Sequence, residues 1–160
     1  MLRQISIFNG PNLNLLGERE PEIYGSVTLQ AIEKSCRSLA GALNVELNFQ
    51  QTNHEGVMVD AIQAARLTSD ALIINPAGLS FHSVPVLDAL RIFNKPIVEL
   101  HLSNIHARDK DHRHSIMSGT STAVICGLGA YGYIVALQSA ARLLGELNSD
   151  LPEPLSIGPQ

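Results

Sequence analysis

Five short apolar runs rich in β-branched residues, LRQISIF, VELNF, ALIIN, PIVEL and TAVIC, are separated by stretches with helical periodicity. This alternation limits the possible folds more than any other feature of the chain. Strands covered on both faces read as near-continuous apolar runs, the mark of a parallel sheet. Between the first two runs, Leu29, Ile32, Cys36, Leu39 and Leu43 recur at steps of three and four, which is one face of a helix. A second helix is predicted from about Glu55 to Leu67. A third starts near Ser83, where Pro85 falls in the first turn and is tolerated, and reaches about Phe93. The last carries Tyr133, Leu137, Ala140 and Leu144 on one side and ends near Glu146. Strands alternating with helices pack as a parallel, doubly wound α/β sandwich. The expected organisation is one catalytic domain over residues 1–147, followed by a proline-rich, poorly ordered tail over 148–160.

Composition excludes several function classes. The net charge is −4 with the charges dispersed, so no basic footprint for nucleic acid is present. With 4% aromatic residues and no Trp, a base-stacking platform is not expected either. No apolar run approaches the roughly 18–20 residues of a membrane span, and MLRQISIF reads as a strand, not as a signal peptide. Cys36 and Cys126 both sit in apolar company and read as buried free thiols. A cytoplasmic protein acting on a small molecule is the expectation.

The fold class itself points to a site. Ligands of open α/β sheets bind beyond the carboxyl ends of the strands, where the strand order reverses. The residues that follow the runs are Asn9 to Asn12, Asn53-His54-Glu55, Asn75, His101 and Gly127 to Gly129, so every strand end but the last offers an amide or an imidazole to one rim. Helix capping accounts for Asn53. It does not account for Asn75, which Pro76 and Gly78 separate from the helix near Ser83.

Three local patterns call for separate readings. Gly127-x-Gly129-x-x-Gly132 has the form of a dinucleotide fingerprint, but it lies on the last βα unit and lacks the strand and acidic residue expected about 20 positions on. Close helix–strand packing explains these glycines, and no cofactor is expected. HLSNIHARDKDHRH holds His101, His106, His112 and His114 at spacings that match no usual metal site, so no metal is expected. His101 stands apart from the others. It follows the PIVEL run two residues after Glu99, so both side chains share a strand face, and a carboxylate that holds an imidazole proton suits a general acid.

The segment NGPNLNLLGEREPEIYG, residues 9–25, is far longer than the usual connection of about 4–6 residues. It carries Arg19 and Tyr24. A phenol titrates near 10, and a cation within about 4–6 Å lowers an acid by roughly 1–3 units. Tyr24 beside Arg19 is therefore a candidate base, with core packing as the plainer alternative.

NGPNLNLLG, REPEIYG, QTNHEG, the asparagine of INP, ELHLSNIHAR and VICGLGAYGY together resemble, in order and spacing, the type II 3-dehydroquinate dehydratases (type II dehydroquinases) over about residues 3–145. The resemblance implies a flavodoxin-like three-layer sandwich with a five-stranded parallel sheet. It implies a homododecamer built as a tetramer of trimers. It also implies reversible anti elimination of water from 3-dehydroquinate through an enolate, without cofactor or metal. On this chain Tyr24, as phenolate, would be the base, Arg19 would tune it, and Asn12 would position a water near the enolate. His101, oriented by Glu99, would be the acid. Asn75 and the backbone at Leu102 and Ser103 would bind substrate, and Asp88 would reach a neighbouring subunit's site.

Two positions depart from the family pattern. GLSFHS places Phe81 where a substrate-binding histidine is expected, with His82 one place later. HRHS places His112 where an arginine is expected, with Arg113 one place later. The expectation is a local backbone adjustment that lets His82 and Arg113 take over. The alternatives are a paralogue acting on a related polyhydroxylated ring acid, or a non-catalytic nucleotide- or flavin-binding module on the same fold.

Overall fold

The apolar runs form the strands expected of them. The computed structural model describes residues 1–145, except for the side chain of Tyr24, and the tail expected from residue 148 lies outside the described residues. Among the described residues, β1 (Arg3–Asn9), β2 (Val45–Gln51), β3 (Ala71–Asn75), β4 (Ile97–His101) and β5 (Ala123–Cys126) make one sheet. All pairings are parallel, in the order β2-β1-β3-β4-β5. The helices are α1 (Pro21–Tyr24), α2 (Leu29–Ala42), α3 (Glu55–Thr68), α4 (Leu79–His82), α5 (Val84–Ile92) and α6 (Tyr131–Leu143).

The two-residue period of the strands divides the core between the two faces of the sheet. Ile5, Ile7, Ile73, Val98 and Leu100 pack with Ile32, Cys36 and Ala40 of α2 and with Tyr133, Leu137 and Ala140 of α6. Phe8, Leu72, Ile74 and Ile97 pack with Met58 and Ile62 of α3 and with Val86 and Leu90 of α5. Every residue of β3 and β4 is buried; β3 is accordingly an unbroken apolar run up to Asn75, whereas β4 carries Glu99 and His101 on one face. β5 is an edge strand, and Cys126 on it is half-buried, not buried as expected, while Cys36 is fully buried. Burial, with Glu33 adding to it, pushes the Cys36 thiol up to about 11, so it behaves as an apolar core group.

Local signals set the helix ends. Thr28 caps α2 by accepting from the Ala31 amide at 3.2 Å. Ser83 starts α5 in the same way from the Val86 amide and donates its own proton to Glu55 at 2.7 Å, tying α5 to α3. α6 stops at Leu143, short of the expected end near Glu146. The Leu144 amide turns back to the carbonyls of Ala140 and Ala141, and Gly145 adopts φ 82°, the left-handed closure that favours glycine.

The chain leaves β1 toward β2 on one side, and β3 lies on the other, so the strand order reverses between β1 and β3. There the two strand ends come unusually close. The Gly10 amide donates to the Asn75 carbonyl at 2.8 Å, and a Cβ on Gly10 would lie 2.2 Å from the Pro76 carbonyl oxygen. Only glycine fits that junction, and the candidate site opens beside it.

Candidate active site

A cavity of about 250 Å³ lies over the carboxyl ends of β1, β3 and β4. Asn75 and His101, the last residues of β3 and β4, line it from the sheet side. Asn12, Leu13, Leu16 and Arg19 line it from the long segment after β1, and Leu102, Ser103, Arg108 and His112 from the segment after β4. Of the strand ends read as one rim, Asn12, Asn75 and His101 line this cavity together, whereas Asn53-His54-Glu55 and Gly127 to Gly129 do not line it.

His101 is its best-defined chemical group. The ring Nε2 lies 2.6 Å from Oε1 of Glu99, and both residues are buried. Burial, the largest single influence, raises the Glu99 carboxyl, but the hydrogen bond and charge of His101 together with the Ser115 and Ser118 hydroxyls outweigh it and hold the group below its ordinary value. Oε2 completes no hydrogen bond of good geometry. Glu99 is therefore a carboxylate, and it fixes a proton on Nε2. The nitrogen left for chemistry is Nδ1. A second proton there makes an imidazolium whose charge Glu99 offsets, a form able to deliver a proton to a leaving oxygen.

Asn12 has φ 68° and starts the short 3-10 turn Leu13–Leu15. Its amide donates at 2.9 Å to the side-chain oxygen of Asn53, which also accepts from Gln51 at 3.0 Å. Asn53 therefore is not the cap of α3 as expected. That place is taken by His54, which makes no side-chain capping bond, and Asn53 instead pins the segment that carries Asn12. Arg19 lines the cavity and lies 3.4 Å from Glu20. Tyr24 closes α1, and its side chain lies outside the described residues.

Phe81 and His112 line the cavity, whereas His82 and Arg113 are exposed and do not. Residues 79–82, read as loop, form the single turn α4. Each step along a helix turns the side chain by roughly 100°, so the residue after Phe81 faces away. His112 is held by its backbone amide on the Asp109 carbonyl at 3.1 Å and by Nδ1 on the Asp109 carboxylate at 2.7 Å. Phe81 meets the His112 ring edge-on, with centroids 5.3 Å apart. Asp88 is exposed on α5, paired with Arg91 at 3.3 Å and away from this cavity.

The sequence reading passed over Arg108, although the HAR that follows Ile105 carries it to the cavity wall. It read Tyr133 only as part of an apolar stripe, yet the Tyr133 hydroxyl lies 2.9 Å from the Asn75 side chain. Two of the three glycines of the apparent fingerprint are closely packed, whereas Gly129 has open space beside it and adopts φ 58°. A Cβ on Gly132 would lie 2.9 Å from Leu100, and one on Gly127 would lie 3.3 Å from Asn104.

The sequence model of the family described as dehydroquinase class II matches residues 3–141. The chain belongs to the type II dehydroquinase family. It is 53% identical over 148 residues to the 3-dehydroquinate dehydratase of Dinoroseobacter shibae, covering 92% of this chain and 99% of that protein. It is 50% identical over 142 residues to the catabolic 3-dehydroquinase of Verticillium alfalfae, covering 89% and 95% of the two chains. The crystal structure of type II dehydroquinase from Propionibacterium acnes superposes with a TM-score of 0.85 at 37% identity, over 89% of this chain and 98% of that one. This type II dehydroquinase thus has the family's flavodoxin-like α/β fold. No described helix is long and apolar enough to cross a membrane.

Proposed function

We propose that this chain catalyses the reversible dehydration of 3-dehydroquinate to 3-dehydroshikimate. The observation that carries this reading is the buried Glu99–His101 pair, with its second ring nitrogen left for a cavity that also holds Asn12, Asn75 and Arg19. Loss of a proton α to a ketone with expulsion of a β-hydroxyl needs a base on one side and an acid on the other. Tyr24, as phenolate, takes the C2 proton, and the C–H electron pair forms the enolate. Arg19 stabilises the phenolate and closes over the substrate, and Asn12 positions a water against the enolate oxygen. As the ketone re-forms, the C1=C2 double bond forms and the C1–O bond breaks. The leaving hydroxyl takes a proton from Nδ1 of His101 and departs as water, while Glu99 keeps the Nε2 proton in place. Asn75 and the backbone of Leu102 and Ser103 hold substrate oxygens.

Phe81 and His112 take part in the substrate wall in their own places, in preference to His82 and Arg113. In the assembled enzyme, a cytoplasmic homododecamer of four trimers, Asp88 serves a neighbouring copy's site. Adding 3-dehydroquinate to the purified protein is expected to produce the absorbance of a conjugated enone, unchanged by chelator or borohydride. A protein that gives no enone refutes the reading, and a Tyr24→Phe variant as active as the parent refutes the role of Tyr24.

The Phe81–His112 wall favours one second reading, a preference for a related polyhydroxylated ring acid. Comparing kcat/KM for 3-dehydroquinate and its close analogues decides between them, and a clear preference for 3-dehydroquinate removes the second.

A further inference from the structure

We propose that Tyr133 is a positioning residue that fixes the side-chain amide of Asn75, so that a ring hydroxyl of the substrate meets the Asn75 carbonyl oxygen and not its NH2 group. The inference rests on the reading of Asn75 as a substrate-binding residue.

A buried relay of hydrogen bonds fixes which group donates at each step. Asn9, Asn75 and Tyr133 are all buried. The Asn9 NH2 donates to the Gln50 carbonyl at 2.9 Å. Turned over, Asn9 would set its own oxygen against that carbonyl, two acceptors face to face, so its orientation is determined. Its oxygen must then face Tyr133, whose hydroxyl donates to it at 2.7 Å. A phenol has one proton. With that proton committed to Asn9, the Tyr133 oxygen can only accept from Asn75, and the Asn75 NH2 donates to it at 2.9 Å. The carbonyl oxygen of Asn75 is left on the other side, where the Ala77 amide donates to it at 3.3 Å.

The relay is thus anchored at one end by a backbone carbonyl and at the other by a backbone N–H, and both ends require the same direction. Asn75 and Ala77 line the cavity, whereas Asn9 and Tyr133 do not. A carbonyl oxygen has two lone pairs, and the Ala77 amide uses one. Burial, the largest influence, raises the Tyr133 phenol far above its ordinary value, and Cys36 adds to this, while the Asn75 hydrogen bond opposes it. The phenol therefore keeps its proton across any assay range, and the relay does not reverse.

The relay also lies apart from the acid. Tyr133 packs in the core layer under α2 and α6, while Glu99 and His101 share the strand face of Ile97 toward α3 and α5. Disturbing Tyr133 should therefore loosen substrate binding more than it slows proton delivery, and a general loss of packing would not separate the two.

Steady-state kinetics of Tyr133→Phe, Asn75→Ala and the double variant with 3-dehydroquinate test the role. Tyr133→Phe is expected to raise KM by roughly tenfold, the worth of one oriented hydrogen bond, with kcat within about threefold of the parent. In the Asn75→Ala background the same change is expected to raise KM by less than about twofold, because its effect runs through Asn75. Unchanged KM in the single variant, or a full additional effect in the double, overturns the inference. Should Tyr133→Phe not fold, Asn9→Ala keeps the tyrosine but frees its proton to turn toward Asn75; the same KM rise is expected, and an unchanged KM overturns the inference. If the parent itself does not turn over 3-dehydroquinate, the functional reading fails instead, so the two failures are distinguishable.

Discussion

Replacing Glu99 with Gln tests the acid more sharply than replacing His101, because it removes a charge and keeps the shape. Gln is isosteric with Glu, and its carbonyl can still accept the Nε2 proton of His101 across the 2.6 Å contact. The new NH2 group falls at the place of Oε2, which completes no hydrogen bond and has the hydroxyls of Ser115 and Ser118 nearby to accept from it. The fold should therefore tolerate the change. What is lost is the charge facing the imidazolium, in a pair whose carboxylate is fully buried. A hydrogen bond to a charged group is worth about 1.5–3 kcal/mol net, and about 1.36 kcal/mol is a factor of ten. If the whole of it is lost from the acid form, kcat should fall by about 10- to 150-fold. KM should change little, because Glu99 does not line the cavity. Initial rates of enone formation over a range of 3-dehydroquinate concentrations measure both. A kcat within about twofold of the parent, or a loss confined to KM, would refute the assignment of Glu99 and His101 as one acid unit.

Three further outcomes follow from the same geometry. The Glu99 carboxyl is held below its ordinary value of 4.5 in the fold, so the unfolded chain binds the extra proton first. The pair's contribution to stability is complete above that ordinary value and is lost as the pH falls through the lower folded one. Thermal melts below pH about 4.5 should therefore fall more steeply for the parent than for Glu99→Gln, and parallel curves would contradict it. Gly10→Ala puts a methyl 2.2 Å from the backbone oxygen of Pro76, which cannot swing aside, and should cost about 3 kcal/mol in urea unfolding. Gly132→Ala meets only the end of the Leu100 side chain at 2.9 Å and should cost about 1 kcal/mol. Equal midpoints for the two would be against this account of the strand junction. Finally, the double change Phe81→His and His112→Arg places the family's polar groups on the wall that Phe81 and His112 now form. It should lower KM for 3-dehydroquinate by about tenfold or more, and an unchanged or higher KM would show that this wall does not contact the substrate.

The residues that were legible in the sequence are those whose position follows from local rules. β3 could be read because burial on both faces leaves an apolar run up to its last residue, and Asn12, Asn75 and His101 because the ends of β1, β3 and β4 converge on one cavity. The pairing of Glu99 with His101 needed only the two-residue period of a strand. Phe81 and His82 show where such rules stop. Whether one or the other faces the cavity depends on whether residues 79–82 are a loop that can adjust or a turn of helix that cannot. A four-residue segment is too short for periodicity to decide. Asn53 is a further limit, since an asparagine before a helix reads as its cap, and the competing partner, the Asn12 amide, lies 41 residues away. Tyr133 is the strongest case. Its ring belongs to the apolar face of α6, as the periodicity says, but its hydroxyl is satisfied by Asn9 and Asn75, residues 124 and 58 positions away on different strands. A helical period registers that a side chain is buried and not which polar atoms it meets. The direction of the Asn75 amide is thus set by contacts that exist only once β1, β3 and α6 have packed. That is why the Glu99–His101 pair could be read from one strand, whereas the group that fixes the Asn75 side chain emerged only from the folded chain.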